Sequence, residues 1–303
     1  MSEPAIRTAD LGKRYGKITA LAGLALEVPR GAVFGFLGPN GAGKTTAVKL
    51  LLGLSSPTSG EAWLLGAPIS DASAHRAARA RVGYLPELFR FQGWLTAREV
   101  LALHCELMGM ARSSWRRESD RVLDIVSLTD RAETRVGTFS KGMQQRLGLA
   151  AALLGSPELV LLDEPTSALD PVGRHDVREI IRALRSQGMT IFLNSHLLSE
   201  VELVCDRVAI VDHGRVVAAG TFDELLSGDT VRIRATGLTD DALARFGTQQ
   251  QRDGEWLVIR GLASAGIPDL VAEAVRLGGR VHAVEPAHES LEDRFLSLLG
   301  KDA

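Results

Sequence analysis

A glycine-rich segment that ends in a lysine and two threonines carries the residue types best suited to bind phosphate. The segment fits the pattern G-x-x-x-x-G-K-[ST] and consists of Gly38, Pro39, Asn40, Gly41, Ala42, Gly43, Lys44, Thr45 and Thr46. Its glycines let successive backbone N–H groups turn inward around an anion, and Lys44 adds a positive charge. Thr45 is expected to place its hydroxyl on Mg²⁺, and Thr46 to give a further phosphate contact. The alternative is a glycine-rich turn that caps a helix.

Two adjacent carboxylates follow an apolar run later in the chain. Residues 159–162 are all Leu or Val, and Asp163 and Glu164 come directly after them. Such a run predicts a buried parallel strand, whose carboxyl end is the edge where ligands bind in open α/β sheets. Asp163 is then expected to hold Mg²⁺ through water, and Glu164 to act as the base toward the attacking water. The alternative is a structural strand that ends in a solvated turn.

Two further polar residues are predicted to leave strands near the same edge. Glu87 follows the short apolar strand 82–86, so its carboxylate is a candidate site residue. His196 follows the apolar strand 190–195 and is placed to bond a γ-phosphate. By itself, a histidine at the start of a helix would mean little.

A second candidate anion site lies at Ser140. The segment 139–146 opens a helix that is strongly apolar over 147–154, and Ser140 is well placed as the N-cap of that helix. Capping alone would explain this serine. As an anion site, made more positive by Lys141, it would reach the phosphate of the first loop only if two subunits faced each other. In the turn 167–171, Asp170 precedes a proline that starts the next helix.

The elements that must position these residues alternate between strand and helix patterns. Apolar spacing and turn residues predict strands and helices in the first 226 residues. The strands are 5–11, 18–28, 32–37, 61–65, 82–86, 159–165 and 190–195, and the helices are 47–52, 72–81, two within 96–136, 147–154 and 172–186. A turn over 12–17 is expected to carry Tyr15 at its tip, where the ring could stack on a base or simply be exposed.

Bulk composition is that of a globular protein of about two domains. The 303 residues are 45% hydrophobic and 24% charged, with a formal net charge of −2. This charge gives no electrostatic sign of nucleic-acid binding. Neither a signal peptide nor an apolar run long enough to span a bilayer is recognisable, so a cytoplasmic protein with two reduced cysteines is expected.

The order of these motifs resembles that of an ATP-binding cassette (ABC) ATPase. The phosphate loop, the signature segment 139–146, the strand 159–165, the turn 167–170 and His196 carry the resemblance. The fold it implies is α/β, a P-loop NTPase of the ABC ATPase type over residues 4–226 with a helical subdomain at about 88–138. A small C-terminal α/β domain over 229–303 follows.

The resemblance also implies a mechanism and partners. Two cassettes, as a homodimer or a heterodimer, would enclose two ATP molecules with Mg²⁺, each between the phosphate loop of one chain and Ser140 and Gly142 of the other. Tyr15 matches the base-stacking aromatic, Glu87 the lid-loop position that holds metal, and Asp170 the loop that crosses the dimer. The chain would energise a separate membrane permease from the inner face of the cell membrane.

Two positions depart from the commonest family pattern, because Lys141 replaces a glycine and Glu87 replaces a glutamine. Both variants resemble the bacterial exporter branch, which includes drug, sodium, lipid and polysaccharide efflux.

Two other functions stay open from the residues alone: a soluble cassette ATPase acting on DNA or ribosomes, and a nucleotide-binding regulator without turnover. The single cassette and the absence of a basic tail oppose the first, and Glu164 opposes the second.

The tail is predicted to contain three strands and three helices. The strands are 231–234, 255–259 and 280–284, and the helices are 240–246, 267–277 and an end helix at 290–295. The end helix is taken from the exporter branch, where the appended domain serves dimer contact or regulation.

Overall fold

The computed structural model describes residues 3–167, 169–226, 230–239, 242–247, 249–286 and 295. The chain forms two compact units, Met1–Ala219 and Gly220–Ala303. Each unit has its own hydrophobic core among the described residues.

The first unit contains ten strands and seven helices within its described part. Its strands are β1 (Ile6–Tyr15), β2 (Ile18–Val28), β3 (Val33–Leu37), β4 (Ser59–Leu64), β5 (Ala67–Pro68), β6 (Val82–Leu85), β7 (Leu159–Asp163), β8 (Thr190–Ser195), β9 (Arg207–Asp212) and β10 (Arg215–Thr221), the last of which ends just beyond the unit. Its helices are α1 (Lys44–Leu51), α2 (Ala72–Arg79), α3 (Ala97–Leu107), α4 (Arg112–Ile125), α5 (Lys141–Ala152), α6 (Pro171–Ser186) and α7 (Leu198–Val204).

Two sheets share the first core. The larger sheet has the order β10-β9-β3-β8-β7-β6, and its inner strands pair in parallel. β3, β7 and β8 are buried along their whole length, as expected for strands covered on both faces. The smaller, antiparallel sheet has the order β2-β1-β4-β5. Because the central strands are parallel, their carboxyl ends meet at one edge.

The predicted turn over 12–17 is wrong. β1 continues to Tyr15 and leaves only Gly16 and Lys17 between the two strands. Irregularities in the β1–β2 register absorb extra residues without ending the ladder, and Asp10 takes a positive φ of 48° at one of them. Glycines that predict a turn can therefore also lie inside a bulged strand.

The other elements that were predicted for the first unit form close to their expected positions, whereas β5, α7, β9 and β10 were not predicted. The predicted helical stretch 96–136 forms α3 and α4, followed by short 3-10 turns. α3 begins with a capping box of Thr96 and Glu99. Ser140 caps α5 as predicted, by accepting a hydrogen bond from the Met143 N–H at 3.2 Å. Asp170 caps α6 in the same way, with Pro171 in the first turn.

The second unit begins with α8 (Phe222–Leu226) and continues with an antiparallel sheet of order β12-β13-β11-β14. Its other elements are β11 (Thr230–Thr236), β12 (Gln249–Asp253), β13 (Trp256–Arg260), α9 (Ile267–Arg276) and β14 (Arg280–Pro286). α9 packs on one face of this sheet through Leu270 and Ala274.

Two predictions in the tail differ from the structure. β12 was missed because Gln-Gln-Gln-Arg-Asp has no apolar alternation. The predicted helix 240–246 is only a 3-10 turn at Ala244–Phe246 within its described residues. The predicted end helix at 290–295 lies outside the described residues, apart from Phe295.

Candidate functional site

The phosphate loop connects β3 to α1 at the carboxyl edge of the parallel sheet. Two of its glycines are required by close packing. A Cβ on Gly38 would lie 2.3 Å from the Val211 carbonyl oxygen, and one on Gly43 would lie 2.4 Å from that of Ala20. Gly43 also has a φ of 102°, which an L side chain rarely adopts. These contacts hold the backbone in the shape that turns the first N–H groups of α1 toward the loop.

Lys44 lies inside this loop with its side chain almost fully buried. Its ammonium donates hydrogen bonds to the carbonyl oxygens of Gly38, at 2.7 Å, and Pro39, at 3.2 Å. Burial lowers the pKa of Lys44, while the carboxylates of Glu164, Asp163 and Glu87 oppose that shift. The loop therefore has a buried positive charge at its centre.

The carboxyl ends of β7 and β8 bring a second polar group to this edge. Asp163 pairs with Asn194 across the two strands, and the Asn194 amide donates a hydrogen bond to the Asp163 carboxylate. Burial raises the pKa of Asp163 to about 6, although this hydrogen bond works in the opposite direction. Glu164 leaves the end of β7 with a φ of 51°, and its backbone N–H bonds the Asn194 carbonyl at 2.9 Å.

His196 follows β8 and faces the Glu164 side chain. Its Nδ1 lies 2.8 Å from Glu164 Oε2, the distance of an ion pair when the imidazole is protonated. Glu164 is only 8% exposed, whereas the His196 side chain is 42% exposed. A buried carboxylate oxygen is thus held next to an accessible imidazole.

These residues line one cavity of about 300 Å³, the phosphate-loop cavity. It is formed by Ile18, Thr19, Ala20, Asn40, Gly41, Gly43, Lys44, Thr45, Thr46, Glu87, Glu164, Asn194 and His196. The structure therefore brings Glu87, Glu164 and His196 to the loop. Asp163 stands behind the lining and contacts it through Asn194. Gly38, Pro39 and Ala42 support the loop from outside the lining, since Ala42 bonds Pro39 and Gly214 through its backbone.

Tyr15 does not line the phosphate-loop cavity. It is 46% exposed at the end of β1, with Lys13 Nζ 4.8 Å from the centre of its ring. The neighbouring lining residue is Ile18, the first residue of β2. Sequence reasoning missed Ile18 and Asn194. An amide at the end of an apolar strand was a usable signal for Asn194, but the strand was interpreted only as core.

Ser140, Gly142 and Asp170 line a different cavity, of about 470 Å³, which we term the signature cavity. It lies between the N-termini of α5 and α6, and Lys141 and Arg146 are among its other lining residues. Within the described residues, the two cavities have no lining residue in common. One chain thus does not bring Ser140 to its own phosphate loop.

Comparisons with known proteins assign the family. Residues 21–167 match the family described as ABC transporter. The chain is 36% identical over 304 residues to the bacitracin transport ATP-binding protein BcrA of Bacillus licheniformis, with 97% of each chain covered. It is 39% identical over 308 residues to the Nod factor export ATP-binding protein I of Paraburkholderia xenovorans, with 100% of this chain and 99% of that protein covered. The chain belongs to the ABC transporter ATP-binding proteins.

A solved structure agrees with this assignment. The structure described as the ATP-binding subunit of an ABC transporter is 31% identical, with a TM-score of 0.64, and the match covers 73% of this chain and 91% of that one. The expected α/β fold of the ABC ATPase type is confirmed, and the chain is an ATP-binding, ATP-hydrolysing subunit. The alternative of a cassette acting on DNA or ribosomes finds no support in these relatives. Among the described residues, no helix combines the length and apolar character needed to cross a bilayer.

The residues of this ABC ATPase fit a magnesium-bound nucleoside triphosphate. The buried Lys44 ammonium is bonded only to loop carbonyls among the described contacts, and the N–H groups of the first turn of α1 have no acceptor within the helix. These donors suit phosphate oxygens. The Thr45 hydroxyl and the carboxylates of Asp163 and Glu87 provide the oxygen ligands that Mg²⁺ prefers.

A third cavity, of about 530 Å³, lies beside Glu87 and the helices α3 and α5. We term it the apolar groove. Phe89, Phe91, Leu103, Met108 and Gly148 are among its lining residues. Close to it, Leu88 and Leu107 are largely exposed. A Cβ on Gly148 would lie 2.8 Å from the Leu85 and Phe89 side chains, so this glycine lets α5 approach the groove closely.

Proposed function

We propose that this subunit drives a separate membrane permease, in the direction of export, by hydrolysing ATP at two sites shared between two cassettes. It would act at the inner face of the cell membrane. The names of its relatives support transport, and one of them names export. The cargo stays unassigned.

The observation that carries the proposal is the separation of the phosphate-loop cavity from the signature cavity. The first holds Lys44, Glu164 and His196, while the second holds Ser140 and Gly142. Each cavity lies at the N-terminus of a helix, where backbone N–H groups favour binding of an anion. If two protein chains face each other, the triphosphate of each ATP is held by Lys44 of one subunit and by Ser140 of the other. Asp170 lies beside Ser140, where it would face the partner cassette.

Within one site, the phosphate loop holds the triphosphate, and Thr46 adds a phosphate contact next to Thr45. We assign Thr45, Asp163 and Glu87 to the Mg²⁺ ion. When bound, Mg²⁺ neutralises negative charge on the outer phosphate oxygens. Tyr15 is assigned to the base, because its exposed ring lies on the hairpin that also supplies Ile18 to the cavity.

Glu164 is the residue that we assign to proton transfer. Glu164 lines the phosphate-loop cavity, and apart from the approach of His196 no group of the described chain contacts its buried Oε2 atom as a donor. The carboxylate can therefore accept a proton from water that attacks the outer phosphate. His196, 2.8 Å from that oxygen, holds the carboxylate and presents its exposed ring edge to the phosphate.

The apolar groove is the surface that we assign to the permease. Its lining includes Pro86 and Phe89, which flank Glu87 in the chain, so a helix pressed into it would act on the segment that carries a residue of the phosphate-loop cavity. Phe91, Leu103 and Met108 offer the apolar contacts that an amphipathic helix requires.

Purification of the tagged full chain from its native membranes tests this function. A polytopic membrane protein should co-purify with the wild-type chain in a stoichiometric ratio. Met108→Asp should reduce that yield strongly while ATP binding stays intact, because it places a charge in the groove. Leu54→Asp, on an exposed leucine that does not line the groove, is the matched control and should retain the partner. If no membrane protein co-purifies with active wild-type chain, the transport function is contradicted.

A further inference from the structure

Asn194 is a polar side chain in one of the most apolar strands of the protein. It is 0% exposed and follows Ile191, Phe192 and Leu193 in β8. Its Nδ2 group donates a hydrogen bond to Asp163 Oδ1. Its Oδ1 atom is buried and has no hydrogen-bond partner in the described residues. One half of this amide is therefore used and the other half is not.

Such an arrangement costs stability unless another group uses the free acceptor. A buried carbonyl oxygen without a donor loses its hydration and gains nothing in return. An apolar side chain of the same size would avoid that loss in a strand whose neighbours are apolar. Asn194 also lines the phosphate-loop cavity beside Glu164 and His196. A donor that enters this cavity therefore lies next to the residue that holds the free acceptor.

The pairing across the sheet gives the amide a second function. β7 and β8 run parallel, with Asp163 directly opposite Asn194. The amide therefore holds the Asp163 carboxylate by a bond that originates on a neighbouring strand. Since Asp163 is almost fully buried, this bond restricts the direction in which its carboxylate can point.

We infer that Asn194 is a positioning residue for a hydrated divalent cation: its N–H group orients Asp163, and its Oδ1 atom accepts a hydrogen bond from water of the cation. This inference rests on the proposed function, which assigns Asp163 to Mg²⁺. It adds a residue that does not itself ligate the metal. Orientation of metal ligands by such neighbours commonly controls metal affinity.

The test compares ATP binding with Mg²⁺ and with EDTA, measured by equilibrium dialysis on the full chain. Asn194→Leu keeps the approximate volume and removes both polar groups. We expect its affinity for ATP in EDTA to stay within about twofold of wild type, because the phosphate loop is intact. The gain in affinity on adding Mg²⁺ should fall by about tenfold, in the range known for loss of outer-shell partners.

Thr190→Val is the matched control. Thr190 is buried in the same strand and accepts a hydrogen bond from the Gly31 N–H at 2.9 Å, but it does not line the cavity. This variant should lose stability without changing the Mg²⁺-dependent gain. If Asn194→Leu does not fold, Asn194→Ala gives the same comparison.

Two results would overturn the inference. One is a Mg²⁺-dependent gain in the Asn194 variant equal to that of wild type. The other is an equal loss of affinity in Mg²⁺ and in EDTA, which is the result of a purely structural role. A third variant, Asp163→Asn, distinguishes failure of this inference from failure of the proposed function. If Asp163→Asn reduces the Mg²⁺-dependent gain and the Asn194 variant does not, only the inference fails; if neither does, the assignment of Asp163 to the metal fails as well.

Discussion

Glu164 adopts a backbone conformation that side chains other than glycine usually avoid. Its φ of 51° falls in the left-handed region, and its N–H bonds the Asn194 carbonyl. Strain of this kind persists only where the surrounding structure determines it, and it concentrates at functional sites. At this position it turns the chain sharply out of β7 and directs the carboxylate into the phosphate-loop cavity.

The first prediction concerns Glu164 and Lys44. Glu164→Gln keeps the shape of the side chain and loses the proton acceptor, so ATP hydrolysis should fall by about 10²- to 10⁴-fold while ATP still binds. Lys44→Ala should fail earlier, by losing about tenfold or more in ATP affinity, because a charge-assisted phosphate contact is removed. Binding and turnover are measured on both variants. Turnover of Glu164→Gln within about threefold of wild type would contradict the assigned base.

The second prediction follows from the pKa of Asp163, which burial raises to about 6. A raised carboxyl pKa means that the folded state holds its proton more tightly than the unfolded state. The buried charge therefore opposes folding increasingly as the pH rises through about 4 to 6. Asp163→Asn should raise the free energy of unfolding of the nucleotide-free protein by about 1 kcal/mol or more at pH 8 and by less at pH 5. Urea unfolding at both pH values checks this, and an equal effect at both would show that ionisation is not the cause.

At the scale of elements, the strands and helices that could be predicted were those with one strong feature in their local sequence. The apolar runs of β3, β7 and β8 predicted buried parallel strands, because strands covered on both faces need such runs. Ser140 was predicted as a helix cap and is one. The extent of β1 was not predictable, because its bulges depend on pairing with β2 and β4 rather than on local sequence.

The loop that begins at Glu87 connects the phosphate-loop cavity with the apolar groove, and the third prediction concerns this element. Glu87→Gln should change activity little, since the amide keeps an oxygen ligand. Glu87→Ala should lower permease-stimulated ATP hydrolysis more than basal hydrolysis, because it removes both the ligand and the restraint on the loop. The two activities are compared in reconstituted membranes with the native permease. An equal proportional loss would reduce Glu87 to a local ligand.

At the scale of the whole molecule, the sequence predicted an appended α/β unit but not its sheet. β12 consists of polar residues, and its position at the edge of the sheet is set by its ladder to β13. The candidate site was predicted more fully than the fold of this unit. The motifs of the candidate site are recognisable from their residue types and spacing. Asn194 is recognisable only from the pairing of β7 with β8, which places it opposite Asp163.

The phosphate-loop cavity and the signature cavity are separate within one chain. Ser140 lies in one and Lys44 in the other, so we propose that these two residues meet between two chains. A site shared in this way needs both chains for activity. This proposal can be tested by mixing two inactive variants that damage different halves of the site.

Lys44→Ala disables the phosphate loop, and Ser140→Arg blocks the signature cavity by bulk, so each variant alone should be inactive. Ser186→Arg, at the exposed far end of α6, is the control for an added arginine and should keep wild-type activity. A mixed dimer has one site with intact Lys44 opposite intact Ser140. Because strict two-site cooperativity would hide recovery in the mixture, wild-type activity is also measured against protein concentration. We expect partial return of ATP hydrolysis on mixing and a specific activity that rises with protein concentration. No return on mixing, together with full activity in a demonstrated monomer at every dilution, would rule out a site shared between two chains.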